Sequence, residues 1–301
     1  MGGPTRQTLR SLLIVSLLML CGWAAASQTP KRPGPLRLQP VRGNLHMISG
    51  EGGNIAVAVT TAGVVLVDDM FDRNHDDILA QLRTLTSQPL RYVLNTHQHD
   101  DHAGGDLKML PLAEVIAHKN VRANLSHIRQ PYYEDTPGTP IGLPRVTFSD
   151  ELSVHLGDSE VRALYFGRGH TNGDAVIYFP DLRVIHTGDL ITEGMPVMDY
   201  RNGASAVEWV STLDKILQLD FDIVIPGHGP LLNKERIRSD RQKLITMNQR
   251  MAELAKKSVP LDQVFAQLKL QDLGWDHTVS TVAFTGGLTG YYEEMKSQPA
   301  K

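Results

Sequence analysis

The stretch LRYVLNTHQHDDHAGG, Leu90 to Gly105, runs from an apolar, β-rich segment directly into three histidines and two aspartates between His97 and His102. Imidazoles and carboxylates crowded at a strand end are unfavourable in a metal-free fold, because several polar groups lose hydration with no partner. A bound cation removes that cost. Imidazole with carboxylate suits zinc, with iron or manganese as competitors.

Working outward, short apolar runs alternate with helical ones. NIAVAVT and GVVLVDD are strand-like and separated by a Gly-containing turn, NHDDILAQLRTL is helical with Asn74 at its N-cap, AEVIAHK is a strand and NVRANLSHI a short helix. RQPYYEDTPGTPIGLP, rich in Pro and Gly, reads as a long loop. A second series follows: LSVHLG, EVRALYFG, DAVIYFP and LRVIHTGD as strands, SAVEWVSTLDKIL as a helix, DIVIPGHG as a strand entering a loop, and a polar helix over 234–257. Strands and helices alternating in two successive halves predict an α/β domain with two sheets in the middle and helices outside.

Each strand ends in a polar group: Asp68, the cluster from His97 to His102, His170 in GRGHTNGD, Asp189 in HTGDL and His228 in PGHG. Function gathers in such loops. In an extended loop His97 and His99 point to one side, while Asp101 and His102 reach a position further on. Neither pair fills a tetrahedral shell. His170 completes the first, His228 the second, and the two oxygens of Asp189 span both. The spacing therefore predicts two metal ions with an activated hydroxide between them, and Asp101 or Asp189 as the group that relays a proton.

The rest of the chain narrows the setting. At 301 residues, 41% hydrophobic, with a formal net charge of -3, it has no basic footprint for nucleic acid, and a small molecule is the expected partner. Arg6 and Arg10 precede the uncharged run SLLIVSLLMLCGWAAA, and small residues around Ala26 and Ser27 offer a cleavage position. Residues 1–27 thus read as a secretory signal, 28–44 as a Pro-rich tether and 45–297 as one folded domain. A periplasmic or secreted location follows, with no stable membrane insertion once the signal is removed. The lone Cys21 lies within that signal, so the mature chain offers no thiolate ligand or disulfide.

HQHDDH fits the H-x-H-x-D-H pattern, and the chain resembles the metallo-β-lactamase superfamily, whose other elements occur in order as Asp68, the GHT of His170, the TGD of Asp189 and the PGHG of His228. The resemblance runs from Leu45 to about Leu232. It implies a four-layer αββα sandwich with a dinuclear zinc site at one edge of the sheets. It further implies that His97, His99 and His170 hold one ion, Asp101, His102 and His228 the other, and that Asp189 bridges. β-Lactamases with a cysteine ligand are excluded by the missing thiol. Those with Asp-His-His at the second ion usually lack the bridging aspartate, which is instead a feature of lactonases and related hydrolases. The GCGR-type segment of glyoxalase II is replaced by LITEGMP. The expected activity is metal-dependent cleavage of an ester, lactone or β-lactam; the alternatives are a dedicated metallo-β-lactamase and a non-catalytic periplasmic metal-binding protein.

Secondary roles follow. Asp68 is expected to hydrogen-bond behind the ligands, and Thr171 and Asp174 to orient His170 or cap its turn. Arg168 is a candidate for gripping a substrate carboxylate; Tyr132, Tyr133 and the segment from Met195 to Tyr200 are candidates for lining the pocket. EGGN, Glu51 to Asn54, reads as a tight turn or a flap over the site. His186, three residues before Asp189 on a strand, is expected to face away. His46, His75, His118, His127, His155 and His277 read as ordinary.

Overall fold

Gly63 to Val67 is buried at every position, a continuous apolar run suited to a strand covered on both faces. Alternate side chains go to opposite sides. Val65 and Val67 enter a core between two sheets, whereas Val64 and Leu66 enter a core beneath a helix. That alternation defines the layers.

The computed structural model describes residues 35–127, 141–275 and 287–298. Its first sheet runs β1 (Arg37–Arg42), β2 (Leu45–Ser49), β3 (Ile55–Thr60), β4 (Gly63–Val67), β5 (Leu90–Leu94), β6 (Glu114–His118) and β7 (Val146–Phe148), in that order. The second comprises β8 (Glu151–Leu156), β9 (Ser159–Tyr165), β10 (Ala175–Phe179), β11 (Val184–His186), β12 (Ile223–Ile225) and β13 (Leu232–Asn233), ordered β13-β12-β11-β10-β9-β8. Helices α1 (His75–Leu85), α2 (Asp100–Ala103), α3 (Asp106–Met109) and α4 (Lys119–His127) belong to the first half, and α5 (Ala206–Ile216), α6 (Lys234–Lys256), α7 (Leu261–Gln267) and α8 (Gly287–Ser297) to the second.

Three cores separate four layers. Leu45, Met47, Val65, Val67 and Leu94 of the first sheet meet Val161, Ala163, Ile177 and Ile225 of the second. Outside the first sheet, Ile78 and Leu82 of α1 cover Val57, Leu66 and Val93. Outside the second, Trp209, Leu213 and Ile216 share one face of α5 and pack with Val176, Ile185 and Val224, joined by Leu244 and Met251 of α6 and Tyr291 and Met295 of α8. The αββα sandwich expected from the sequence is what forms. Among the described residues no helix is long and apolar enough to cross a membrane.

β4, β5 and β6 are mutually parallel, as are β11 and β12, so their C-terminal ends deliver Asp68, the His97–His102 loop, Asp189 and His228 to one edge. The two sheets are stitched there. Ala175 N donates to Thr96 O at 2.8 Å, and Asn54 N donates to Gly227 O at 2.7 Å.

One boundary is corrected. Residues 37–42, assigned to the tether, pair antiparallel with β2 as an edge strand. Pro40 gives this strand a tether-like composition, yet proline is compatible with an edge, where its missing N–H is not needed. The expected signal, the first part of the tether, Tyr132, Tyr133 and His277 lie outside the described residues.

Trp209 is 1% exposed and, among the described residues, the largest of the fully buried side chains. Trp209→Ala is expected to cost about 3–5 kcal/mol, read from urea denaturation; a loss below about 1 kcal/mol would mean that the outer helix layer contributes little.

Candidate metal centre

Four histidines converge at the shared edge, and each has its outward nitrogen engaged. His102 Nδ1 donates to Asp68 Oδ2 at 2.8 Å. His99 Nε2 donates to Asp199 Oδ2 at 2.9 Å, and His170 Nδ1 donates to the Val197 carbonyl at 2.7 Å. Thr96 Oγ1 donates to Asp68 Oδ2 at 2.8 Å, so it accepts from His97 Nδ1, 3.1 Å away. These bonds fix the tautomers and leave the inward nitrogens as lone pairs.

The inward nitrogens face one another. His170 Nε2 lies 3.0 Å from His99 Nδ1, and His102 Nε2 lies 3.3 Å from His228 Nε2. His97 Nε2 is buried with no hydrogen-bond partner. Converging lone pairs repel unless a proton or a cation lies between them. This donor set fits a metal.

Among the described residues, the atoms that could hold a metal ion fall into two groups, His97, His99, His170 and Asp189 in one, Asp101, His102 and His228 in the other, the atoms of each within 4.8 Å of one another. Asp189 also reaches the second group. Its Oδ2 lies 3.7 Å from His170 Nε2, while its Oδ1 lies 3.2 Å from His102 Nε2 and 3.4 Å from His228 Nε2. Asp101 Oδ2 lies 3.2 Å from His228 Nε2. The site opens to solvent on the His228 side, whose side chain is 38% exposed against 0–3% for His99, His102 and His170.

Electrostatics separate the two groups except at His99, where burial opposes charging but Asp199 outweighs it and raises the ring above the ordinary histidine range. Burial, reinforced by His102, holds His97 well below the ordinary histidine range, and burial with His99 lowers His170 to about 4. In the second group burial opposes charging, but Asp189 and Asp101 outweigh it, raising His102 well above its ordinary range and His228 to about 10. Burial likewise opposes ionisation of Asp189, yet His228 and His102 hold it well below the carboxylate range. The second group therefore demands positive charge, which protons supply in the metal-free protein and a divalent ion supplies in their place.

Close packing sets the ligand positions. A Cβ at Gly227 would come within 1.9 Å of Asp189 Oδ1, and one at Gly53 within 2.2 Å of His102 Cε1. EGGN is therefore packed against the site: Gly53 N donates to Asp101 O at 2.9 Å, and Asn54 Nδ2 donates to the carbonyls of Pro226 and Gly229, both at 2.9 Å. Asp68 itself sits at φ 63°, a conformation unusual for a residue with a side chain, held by the bond from Thr96 N at 2.7 Å.

Several expectations meet a different arrangement. Of the two roles expected for Thr171 and Asp174 the structure has the turn-capping one, Asp174 accepting from Thr171 N at 2.9 Å and from its hydroxyl at 2.5 Å, while the Val197 carbonyl orients His170. Arg168 pairs with Glu208 at 2.7 Å in a half-exposed ion pair. The Tyr200 hydroxyl donates to Glu294 at 2.7 Å, which ties the side chain to the C-terminal helix. His186 Nε2 donates to Asn54 O at 2.8 Å, and its Nδ1 accepts from Gly188 N. Both ring nitrogens are thus engaged by backbone, and His186 belongs to neither group of residues that could hold a metal; Asp189 lies in the turn after β11 and not on the strand. Asn74 precedes α1 without a side-chain capping bond, because a 3-10 turn leads into the helix.

Asp199 was missed. It is fully buried, and although burial opposes its ionisation, the His99 bond holds it at about 2. Its only local signal, DYRNG, is a turn signature, and Asp199 does accept from Asn202 N at 3.3 Å.

With this geometry established, comparison with known proteins is decisive. The family model described as metallo-beta-lactamase superfamily matches residues 48–228. The chain belongs to that superfamily. It is 26% identical over 208 residues to the 2,4-dinitroanisole O-demethylase subunit alpha of Nocardioides sp. (strain JS1661), covering 67% of this chain and 60% of that one. It is 29% identical over 198 residues to the metallo-beta-lactamase type 2 of Bacillus cereus, covering 63% and 72%. Among solved structures, the metallo-beta-lactamase from Pontibacter korlensis superposes with a TM-score of 0.59 at 20% identity, over 70% of this chain and 99% of that one. Family and paired His/Asp clusters together make the protein a metallohydrolase.

Asp199→Ala is expected to weaken metal binding by about 10–100-fold, the usual cost of losing the partner of a ligating histidine. Equilibrium dialysis against zinc measures it; unchanged affinity would mean that His99 does not ligate through its other nitrogen.

Proposed function

We propose that the protein is a secreted or periplasmic dinuclear zinc hydrolase that cleaves an acyl bond in a small molecule, with esters and lactones preferred over β-lactams. The observation that carries this reading is the position of Asp189, whose two oxygens turn toward different ligand groups. His97, His99 and His170 would hold one ion, Asp101, His102 and His228 the other, with Asp189 shared. Bound zinc supplies a Lewis acid for a carbonyl oxygen and brings the pKa of water down to about 7.

The chain's own residues do the rest. Asp101 Oδ1 is buried without a hydrogen-bond partner. Burial works against its charge, but His102 and His228 keep it below the ordinary carboxylate range, so it is an ionised acceptor for the proton of an attacking water. It can return that proton to the leaving group, as general acid–base catalysis requires. Exposure on the His228 side gives substrate an approach to both groups. Secretion rests on the leader-like residues 1–27, and the preference for esters and lactones on the combination of Asp189 with a ligand set free of cysteine.

In protein saturated with zinc, elemental analysis is expected to find close to two ions per chain, with His102→Ala and His228→Ala each removing mainly one. One ion in the saturated wild type would overturn the dinuclear reading. The substrate preference is tested by comparing kcat/KM for a lactone, a p-nitrophenyl ester, a penicillin and a carbapenem, with and without chelator. Chelator-sensitive turnover led by the lactone or ester is expected. A β-lactam ahead by about 100-fold, roughly 2.7 kcal/mol in transition-state stabilisation, would identify a dedicated β-lactamase. No turnover of any of them by zinc-loaded protein would favour a metal-binding accessory protein.

A further inference from the structure

Two of the three histidines in the first ligand group are oriented by one short segment. Val197 O accepts from His170 Nδ1 and Asp199 accepts from His99 Nε2. The segment is zipped to the His170 turn: Asp199 N donates to His170 O at 2.9 Å, and Ser205 N donates to Gly169 O at 3.1 Å. The second group takes its orientation elsewhere, from Asp68 at the end of β4 and from Asn54, which ties down the loop of His228.

Beside the local bonds that Asp199 takes from Asn202 and Ala204, the far end of the segment is held by Glu294 of the C-terminal helix α8. Its Oε1 accepts from the Ser205 hydroxyl at 2.5 Å, and its Oε2 accepts from the Tyr200 hydroxyl at 2.7 Å and from Ala206 N at 3.0 Å. One carboxylate thus joins the residue next to Asp199 to the first turn of α5. The approach is close: a Cβ at Gly290, one turn earlier on α8, would lie 2.3 Å from Tyr200 Cγ. α8 is itself anchored, with Tyr291 Oη donating to Asn248 Oδ1 at 2.6 Å and Asn248 Nδ2 donating to Ala206 O at 2.8 Å. Glu294 also lies beyond residues 48–228, the span of the family match.

We propose that Glu294 is a positioning residue for the first metal site, holding the Val197–Tyr200 segment and, through it, the lone pairs of His99 and His170. This rests on reading the two ligand groups as metal sites. It differs from a purely structural role in being selective: removing Glu294 loosens the segment that serves the first group and leaves Asp68 and Asn54, which serve the second, in place.

The test is competition between metal-free protein and a chelating dye for zinc, for wild type, Glu294→Ala, Glu294→Gln, Tyr200→Phe, Asp199→Ala and His228→Ala, with thermal melting of each metal-free protein alongside. Asp199→Ala marks the first site and His228→Ala the second. Glu294→Ala is expected to weaken the site marked by Asp199→Ala by about 10-fold and to leave the other unchanged, with Glu294→Gln, which keeps one acceptor oxygen, in between. If Glu294→Ala does not fold, Tyr200→Phe removes a single hydroxyl and carries the same comparison. Equal weakening of both sites, or a lowered melting temperature with both affinities as in wild type, overturns the positioning role. Weak binding in Asp199→Ala beside normal binding in Glu294→Ala overturns this inference alone, and a wild type that takes up no zinc overturns the metal reading with it.

Discussion

The converging ring nitrogens of five histidines are the constraint on which the rest of the structure depends. Each imidazole has two nitrogens, and the protein commits the outer one to Asp68, Thr96, Asp199 or the Val197 carbonyl, or, for His228, leaves the ring at the solvent edge. With neutral rings the inner nitrogens are acceptors facing acceptors at 3.0 and 3.3 Å, so either protons or a cation must lie between them. Such an arrangement is unfavourable alone and favourable around a cation, so the outer hydrogen bonds prepare the site for metal before any metal arrives.

The sandwich makes this arrangement possible. No single loop can supply ligands to two ions from opposing directions, but two sheets packed face to face present loops from both at a common edge. The first sheet contributes His97 to His102, and the second contributes His170, Asp189 and His228. Close approach is required across that seam. Gly188 sits at φ +49° with no room for a Cβ beside Thr96, and Gly227 leaves none between itself and Asp189. The glycines of TGD and PGHG are as much part of the site as the ligands beside them. The same crowding explains the charge pattern, since Asp189 and Asp101 lie near enough to His102 and His228 to outweigh burial.

Legibility in the sequence followed the range of the interaction. The layers could be read because period-2 and helical patterns are local, and the ligands because each stands at the end of an apolar strand. Asp68 was legible for the same reason. Residues acting through a loop's tertiary course were not. Asp199 shows only its turn-forming partner Asn202 in the local sequence, while its bond to His99 spans 100 positions. Val197 acts through a backbone carbonyl, which no side chain advertises. Arg168 and Tyr200 look available in sequence, but Glu208 and Glu294, 40 and 94 positions away, engage them. Pro40 shows the converse error: a tether-like composition concealed an edge strand whose geometry accepts proline.

The most direct test of the account is a crystal structure of zinc-loaded protein with data recorded on both sides of the zinc absorption edge. Two anomalous peaks about 3.5–4 Å apart are predicted, one among His97, His99 and His170, the other among Asp101, His102 and His228, with one oxygen of Asp189 directed at each. A single peak, or two peaks with Asp189 bound to only one of them, would contradict it.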